Sequence, residues 1–258
     1  MSKVVFRYEG PFVIPVGVTT PINGGFESYL RSRDIEWATD RVDNPAALAE
    51  FGGRICYGAS SFANKRETPQ SGYLRKSIIE HKHESVIEHV SVNFAVSGLA
   101  RSTLIELSRH RVGVSMSVRS TRFTDDYFEF LIPASIRDDE EAVERFKELC
   151  YASVEVYNDQ ISRLEQRDME DVESKTLQRK RLREAARNIL PHALTSDLLL
   201  TLNARSIRHI VELRSNEHAD MDFREFANAL FYAADSVIPE LLQGAKARLV
   251  GGLHEIVF

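Results

Sequence analysis

The sequence predicts an α+β fold, and two observations predict it. Segments with strand-like alternation are interspersed with segments of helical period, without the regular β-α-β succession of a doubly wound sheet. The second half is mostly of helical period. The chain has 258 residues, enough for one large domain or two small ones. A chain of this length buries about 70–75 % of its unfolded surface and needs no disulfide or metal staple.

Each element has its own local reason. Val4–Tyr8 and Phe12–Val18 are rich in Val, Ile and Phe and read as strands, the second ended by Pro21-Ile-Asn-Gly-Gly25. Residues 26–44 are charged and poorly periodic, which predicts an exposed excursion, and 20–45 stands apart as an insertion or loop. Asn44 predicts the cap of a helix that starts at Pro45 and runs through Ala46, Leu48 and Phe51; Gly52-Gly53 is expected to end or kink it. Pro69–His81 reads as a helix carrying Leu74, Ile78 and Ile79. Val90–Val96 alternates as a half-buried strand.

A helix over Ala100–Ser108 is expected to fray at Gly113. Phe123–Pro133 follows as a strand with Phe128, Phe130 and Ile132 on one face. Asp138–Gln166 is a long helix with Ala142, Phe146, Leu149, Cys150, Val154 and Ile161 near a helical period. Thr176–Leu190 is another, stopped by Pro191. Leu198–Leu202 reads as a short strand, and Asn203 caps a helix with Ile207, Ile210 and Val211 on its buried stripe. Phe223–Leu249 is the expected closing helix, interrupted at Pro239.

Composition narrows the class. The net charge of -5 and a pI near 5.9 argue against a general nucleic-acid coat protein but leave room for a local basic site. Cys56 and Cys150 form neither a close-spaced metal pair nor a disulfide framework, which suits a reducing compartment. No apolar run approaches the ~20 residues that span a bilayer, and the N-terminus lacks a signal-peptide core. A cytoplasmic protein is the expectation.

Residues 101–123 reverse the overall charge. Arg101, Arg109, Arg111, Arg119 and Arg122 stand with His110 against the single acid Glu106, and Ser115, Ser117 and Ser120 are interleaved. Guanidinium forks beside small hydroxyls suit a nucleotide phosphate. A solvated basic helix end is the competing account of Arg109-His110-Arg111. Consecutive helical residues point roughly 100° apart, so these cations fit a place where two ligands or two subunits meet. A second basic set comprises Arg187, Arg205, His209, Arg214 and His218, where pairing with Glu212, Glu217 or Asp220 is the plain structural alternative. No Gly-x-Gly-x-x-Gly, phosphate-binding loop or nucleophile elbow is present. His83-Glu84 has its next histidine at His89, too far along for a helical zinc pair, so no metal is expected.

Taken together these motifs resemble the flavin-dependent thymidylate synthases, whose signature is Arg-His-Arg-x-x-Ser-x-Asn-x-x-Ser-x-Arg-Tyr. Arg109-His110-Arg111 matches its start and Ser115-x-Ser117-x-x-Ser120-x-Arg122-Phe123 its remainder. His83-Glu84-Ser85-x-x-Glu88-His89, Arg187-Asn-Ile-Leu-Pro191, Asn203-Ala-Arg205-Ser206 and Arg214 with His218 match four further family motifs in order. The resemblance implies a homotetramer of α+β subunits with a mixed sheet, long helices and shared active sites. It implies FAD as cofactor, with NADPH and methylenetetrahydrofolate as co-substrates, and methylation of dUMP at C5. By the same resemblance Ser85, Arg109, His110, Arg111, Asn203, Ala204, Arg205 and His209 line the flavin. Glu106, Arg109, Val118, Arg119, Ser120, Thr121, Arg122, Arg187 and Arg214 line the nucleotide, with Arg214 polarising the uracil ring.

The sequence departs from the signature on the nucleotide side. One extra residue lies between Arg111 and Ser115, so that either Val114 or Ser115 takes the serine site. Ser117 replaces Asn, Phe123 replaces Tyr, Val118 and Arg119 replace an acid or amide and an apolar residue, and Glu106 stands for Gln. These departures raise UMP as an alternative substrate of the same chemistry. A nucleic-acid-binding protein using 101–123 as a basic arm is the non-enzymatic rival. It predicts stacking aromatics, of which the segment holds only Phe123.

Overall fold

A computed structural model describes residues 3–37, 44–58, 62, 70–123, 127–167 and 174–258. It mixes helices and strands as expected of an α+β protein. The chain divides into two compact units. One comprises Met1–Phe12, Val96–Arg109 and Ser117–Leu198, and the other Val13–Ala95, His110–Met116 and Leu199–Phe258. Among the described residues the strands are β1 (Lys3–Arg7), β2 (Phe12–Val18), β3 (Ser91–Ala100), β4 (Val114–Val118), β5 (Tyr127–Leu131), β6 (Thr195–Asn203), β7 (Lys246–Val250) and β8 (Leu253–Val257). They form a parallel β1–β5 pair, a four-stranded sheet in the order β2-β3-β6-β4, and a β7–β8 hairpin.

In the first unit β1 and β5 register Val4 against Phe128 and Phe6 against Phe130. Phe128 and Phe130 point into a core with Cys150, Val154 and Tyr157 of the long helix α5 (Glu140–Arg167), Ala186 of α6 (Lys175–Ala186) and Leu194. Phe128, Phe130 and Ile132 are all buried as expected, but so is Leu131, so the alternation holds only as far as Phe130. Helix α4 (Arg101–Leu107) follows β3 directly and buries Thr103, Leu104 and Leu107. Helix α6 passes into a 3-10 turn at Arg187–Ile189 ahead of Pro191.

In the second unit Asn44 caps α2 (Pro45–Cys56), its Oδ1 accepting from the Ala46 amide at 2.8 Å. Gly52-Gly53 does not end this helix. A Cβ at Gly53 would collide with the Tyr73 hydroxyl, so that glycine serves a close approach to the helix carrying Tyr73 instead. Helix α3 runs as Gln70–Arg75 and continues in a π-helical turn, Lys76–Glu80; the predicted start at Pro69 lies outside the described residues. The stretch expected to be an exposed excursion holds a helix, α1 (Gly25–Arg31). Its buried Phe26 and Leu30 pack with Ala47 and Phe62, joined by Trp37 and Phe51. Two apolar anchors four residues apart suffice to fix one helical face even where charge dominates the composition.

The C-terminal expectation is corrected most. Helix α8 (Met221–Asp235), capped by Asp220, stops well before Leu249 and is followed by a 3-10 turn at Pro239–Leu241. The remainder is the β7–β8 hairpin. Gly251 and Gly252 both have positive φ, at 60° and 81°, which is the backbone a tight two-residue hairpin turn demands. Helix α7 (Ala204–Arg214) lies as predicted, with Ile207, Ile210 and Val211 buried.

Candidate active site

In the second unit the side chains singled out by sequence gather around α7. Asn203 accepts from the Ser206 amide through Oδ1 at 2.8 Å, satisfying a free N–H of the first turn. Its own N–H donates to Gly113 O at 3.0 Å, and Ser206 Oγ donates to Val112 O at 2.6 Å. Gly113 has φ 63°, and a Cβ there would collide with the Asn203 amide. The loop after Arg111 is thereby pinned to the start of α7.

His110 is drawn into the same cluster. Its ring lies 5.7 Å from that of His209 and 6.3 Å from that of Phe223. Arg214, from the last turn of α7, donates through Nε to His110 Nε2 at 3.2 Å. Acceptance at Nε2 assigns the proton of a neutral imidazole to Nδ1. The Arg214 guanidinium also lies 4.7 Å over the Phe223 ring. Arg205 pairs with Glu88 and, through Nε at 3.8 Å, with Glu84 of the 3-10 turn Glu84–His89. Ser85 is exposed on that turn, Ala204 is buried, and Arg111 and His209 are exposed.

The first unit gathers the other set. Arg187 Nη1 donates to Thr121 Oγ1, and Arg101 Nη1 to Ser196 Oγ, both at 3.5 Å. Burial and then the neighbouring Arg187 charge hold the Arg101 guanidinium below its usual pKa. Arg101 was given no role from the sequence. The basic run alone marks it in the sequence, and the Arg187 charge that acts on it lies far along the chain. Arg119 sits 3.7 Å from Asp197 and 4.8 Å over the Tyr127 ring. Arg122 is paired with Glu184 at 2.9 Å, which holds that carboxyl below its usual range. The Arg122 amide donates to Ser120 Oγ at 3.3 Å. A small cleft of about 30 Å³ is lined by Arg119, Thr121, Tyr127, Glu129, Thr195 and Ser196, among others. Glu106 is half-buried on α4; Arg109, which follows α4, and Val118, the last residue of β4, are exposed.

This arrangement can bind an anion in the first unit and hold an oriented His–Arg pair in the second. Among the described residues no three His, Cys, Asp or Glu side chains come together as a metal-binding group. No described helix is long and apolar enough to cross a membrane.

Comparison with known proteins decides the family. The model of the thymidylate synthase complementing protein family matches residues 39–240. The chain belongs to that family. Among curated relatives, a flavin-dependent thymidylate synthase of Mycolicibacterium vanbaalenii is 40 % identical over 195 residues, covering 75 % of this chain and 76 % of the relative. One of Mycolicibacterium gilvum is 39 % identical over 209 residues, 81 % and 82 % of the two chains. One of Mycobacteroides abscessus is 37 % identical over 214 residues, 83 % and 84 %. The family match takes in both charged clusters, and it begins after α1.

Proposed function

We propose that the protein methylates dUMP at C5 to give dTMP, drawing the carbon from methylenetetrahydrofolate and the hydride from NADPH, with FAD as cofactor. The observation that carries this reading is the hydrogen bond between Arg214 and His110, which joins two family motifs 104 residues apart. Relatives named as flavin-dependent thymidylate synthases at 37–40 % identity support it.

The donor set fits the flavin. His110, Arg111, Asn203, Arg205 and His209, together with Ser85, Arg109 and Ala204, supply N–H groups, a hydroxyl and imidazole faces for a cofactor with anionic phosphates and a planar polar ring. Bound there, the flavin supplies hydride transfer. The nucleotide falls to Glu106, Arg109, Val118, Arg119, Ser120, Thr121, Arg122, Arg187 and Arg214. Two half-buried guanidinium groups, Arg101 and Arg187, repel each other and face hydroxyls, with Glu184 offsetting part of the Arg187 charge. A phosphate dianion relieves that repulsion. Arg214 has its Nε committed to His110, which fixes the guanidinium plane for stabilising negative charge on the uracil N3–O edge as C5 becomes nucleophilic. The C5 hydrogen leaves as a proton, and tetrahydrofolate and the oxidised nicotinamide are the other products.

The chain is read as one domain over 1–258, supported by a family match that runs through both compact units. Residues 20–45 remain the segment read as atypical of the family. A cytoplasmic homotetramer is the expected assembly. Exposed Ile14 and Val16 on the sheet-edge strand β2 support association, since an uncovered apolar edge invites pairing. The deciding experiment supplies purified protein with FAD, NADPH, methylenetetrahydrofolate and either dUMP or UMP. Formation of dTMP with a strong preference for dUMP is expected. A preference for UMP overturns the substrate, and no C5-methylated product overturns the reaction.

A further inference from the structure

Arg208 has no role in the reading above, yet it is built into the same helix three residues after Arg205. Its side chain is 5 % exposed. Its Nη1 donates to Gln243 O at 3.0 Å and to Leu241 O at 3.4 Å, and its guanidinium lies 4.0 Å over the Phe258 ring. Its Nε donates to Glu84 Oε1 at 3.2 Å. Burial lowers the Arg208 pKa, and the Glu84 charge works against that shift. The other Glu84 oxygen lies 3.8 Å from Arg205 Nε, while Glu88 holds Arg205 Nη1.

Arg205 is 50 % exposed, so on its own it would sample many rotamers, a freedom worth about 2 kcal/mol for an arginine. What restrains it is a relay. The C-terminal segment fixes Arg208, Arg208 fixes Glu84, and Glu84 with Glu88 fixes Arg205. The four side chains carry two positive and two negative charges. Arg205 therefore reaches any ligand as an oriented donor rather than as an uncompensated cation.

We propose that Arg208 is a positioning residue: through Glu84 it holds Arg205 in the orientation in which Arg205 binds the flavin. The proposal rests on the reading of Arg205 as a cofactor residue. A double-mutant cycle tests it, with FAD affinity read by quenching of flavin fluorescence and folding by melting of the FAD-free protein. Arg208→Met is expected to weaken FAD binding roughly tenfold in the native background and by less than about twofold when Arg205→Ala is already present. Arg208→Lys keeps the charge but loses the planar fork, and it is expected to weaken binding in the same background-dependent way. Should Arg208→Met fail to fold, Arg208→Lys and Glu84→Gln carry the cycle. Equal losses with and without Arg205, tracking the melting temperature, overturn the proposal and leave Arg208 a purely structural clamp. If the native protein binds no FAD, the cofactor reading fails and the positioning role falls with it, an outcome distinct from additive losses.

Discussion

Arg205 and Arg101 are the same kind of side chain in opposite electrical company. Arg205, in the second unit, lies against Glu84 and Glu88, and Glu84 is shared with Arg208. Arg101, in the first unit, has Arg187 as its charged neighbour and Ser196 as its hydrogen-bond partner. A compensated guanidinium is already content in the folded protein and gains mainly direction from its partners. Two neighbouring like charges, offset in part by Glu184, store repulsion that an incoming anion releases. On the proposed function, the difference separates the region that would orient the cofactor from the one that would grip the phosphate.

The largest expected effect comes from Gly113. Gly113→Ala forces a positive φ on a residue with a Cβ and drives that Cβ into the Asn203 amide. A loss of about 2–4 kcal/mol is expected from backbone strain and overpacking together. Urea unfolding measures it, and FAD affinity should fall in step. An unchanged midpoint would refute the pinning of the Gly113 loop to the start of α7.

Next in size is the anion pair. Arg101→Gln or Arg187→Gln should each raise the KM for dUMP about 10- to 100-fold, the equivalent of a charge-assisted hydrogen bond of about 1.5–3 kcal/mol. FAD affinity should stay put. Inorganic phosphate should raise the melting temperature of the native protein and not of either variant. If FAD binding falls instead, the contrast between the two regions is broken.

A smaller change is expected from Asn203→Ala, which removes the helix cap at a cost of about 1 kcal/mol in thermal or denaturant unfolding. Asn203→Asp, an equally good cap, should restore the stability, so a persistent loss would show that the amide donor rather than the cap matters. Smallest is the thiol contrast. Burial pushes the Cys150 thiol up to about 12, so its thiolate is scarce at pH 8, whereas Cys56 is exposed. A thiol reagent at that pH should therefore titrate one group in the native protein and two after unfolding. Two fast groups in the native state would refute the packing of α5.

Local rules made much of this legible in the sequence. Asn44, Asn203 and the apolar period of α7 act within a few residues, and the structure places them where capping and periodicity do. The same holds for β5, where alternation alone sorts Phe128 and Phe130 inward. The misses required partners distant in the chain. Gly53 looked like a helix breaker because Tyr73 was not in view. The closing hairpin carries a helical expectation in the sequence because Lys246–Val250 holds residues of either propensity. The Gly251-Gly252 turn was the available signal. In the site, His110 and Arg214 were recognisable as motif members, but their hydrogen bond was not. Arg101 was one cation among several until the fold set it beside Arg187.

The pinned Gly113 has a consequence for the parity of β4. Val114 and Met116 are half-buried while Ser115 and Ser117 are exposed. A strand alternates strictly, so one residue taken up inside it would exchange those two sets and turn both hydroxyls inward. In β4 Ser115 and Ser117 share the exposed face, and Val114 with Met116 lies on the other.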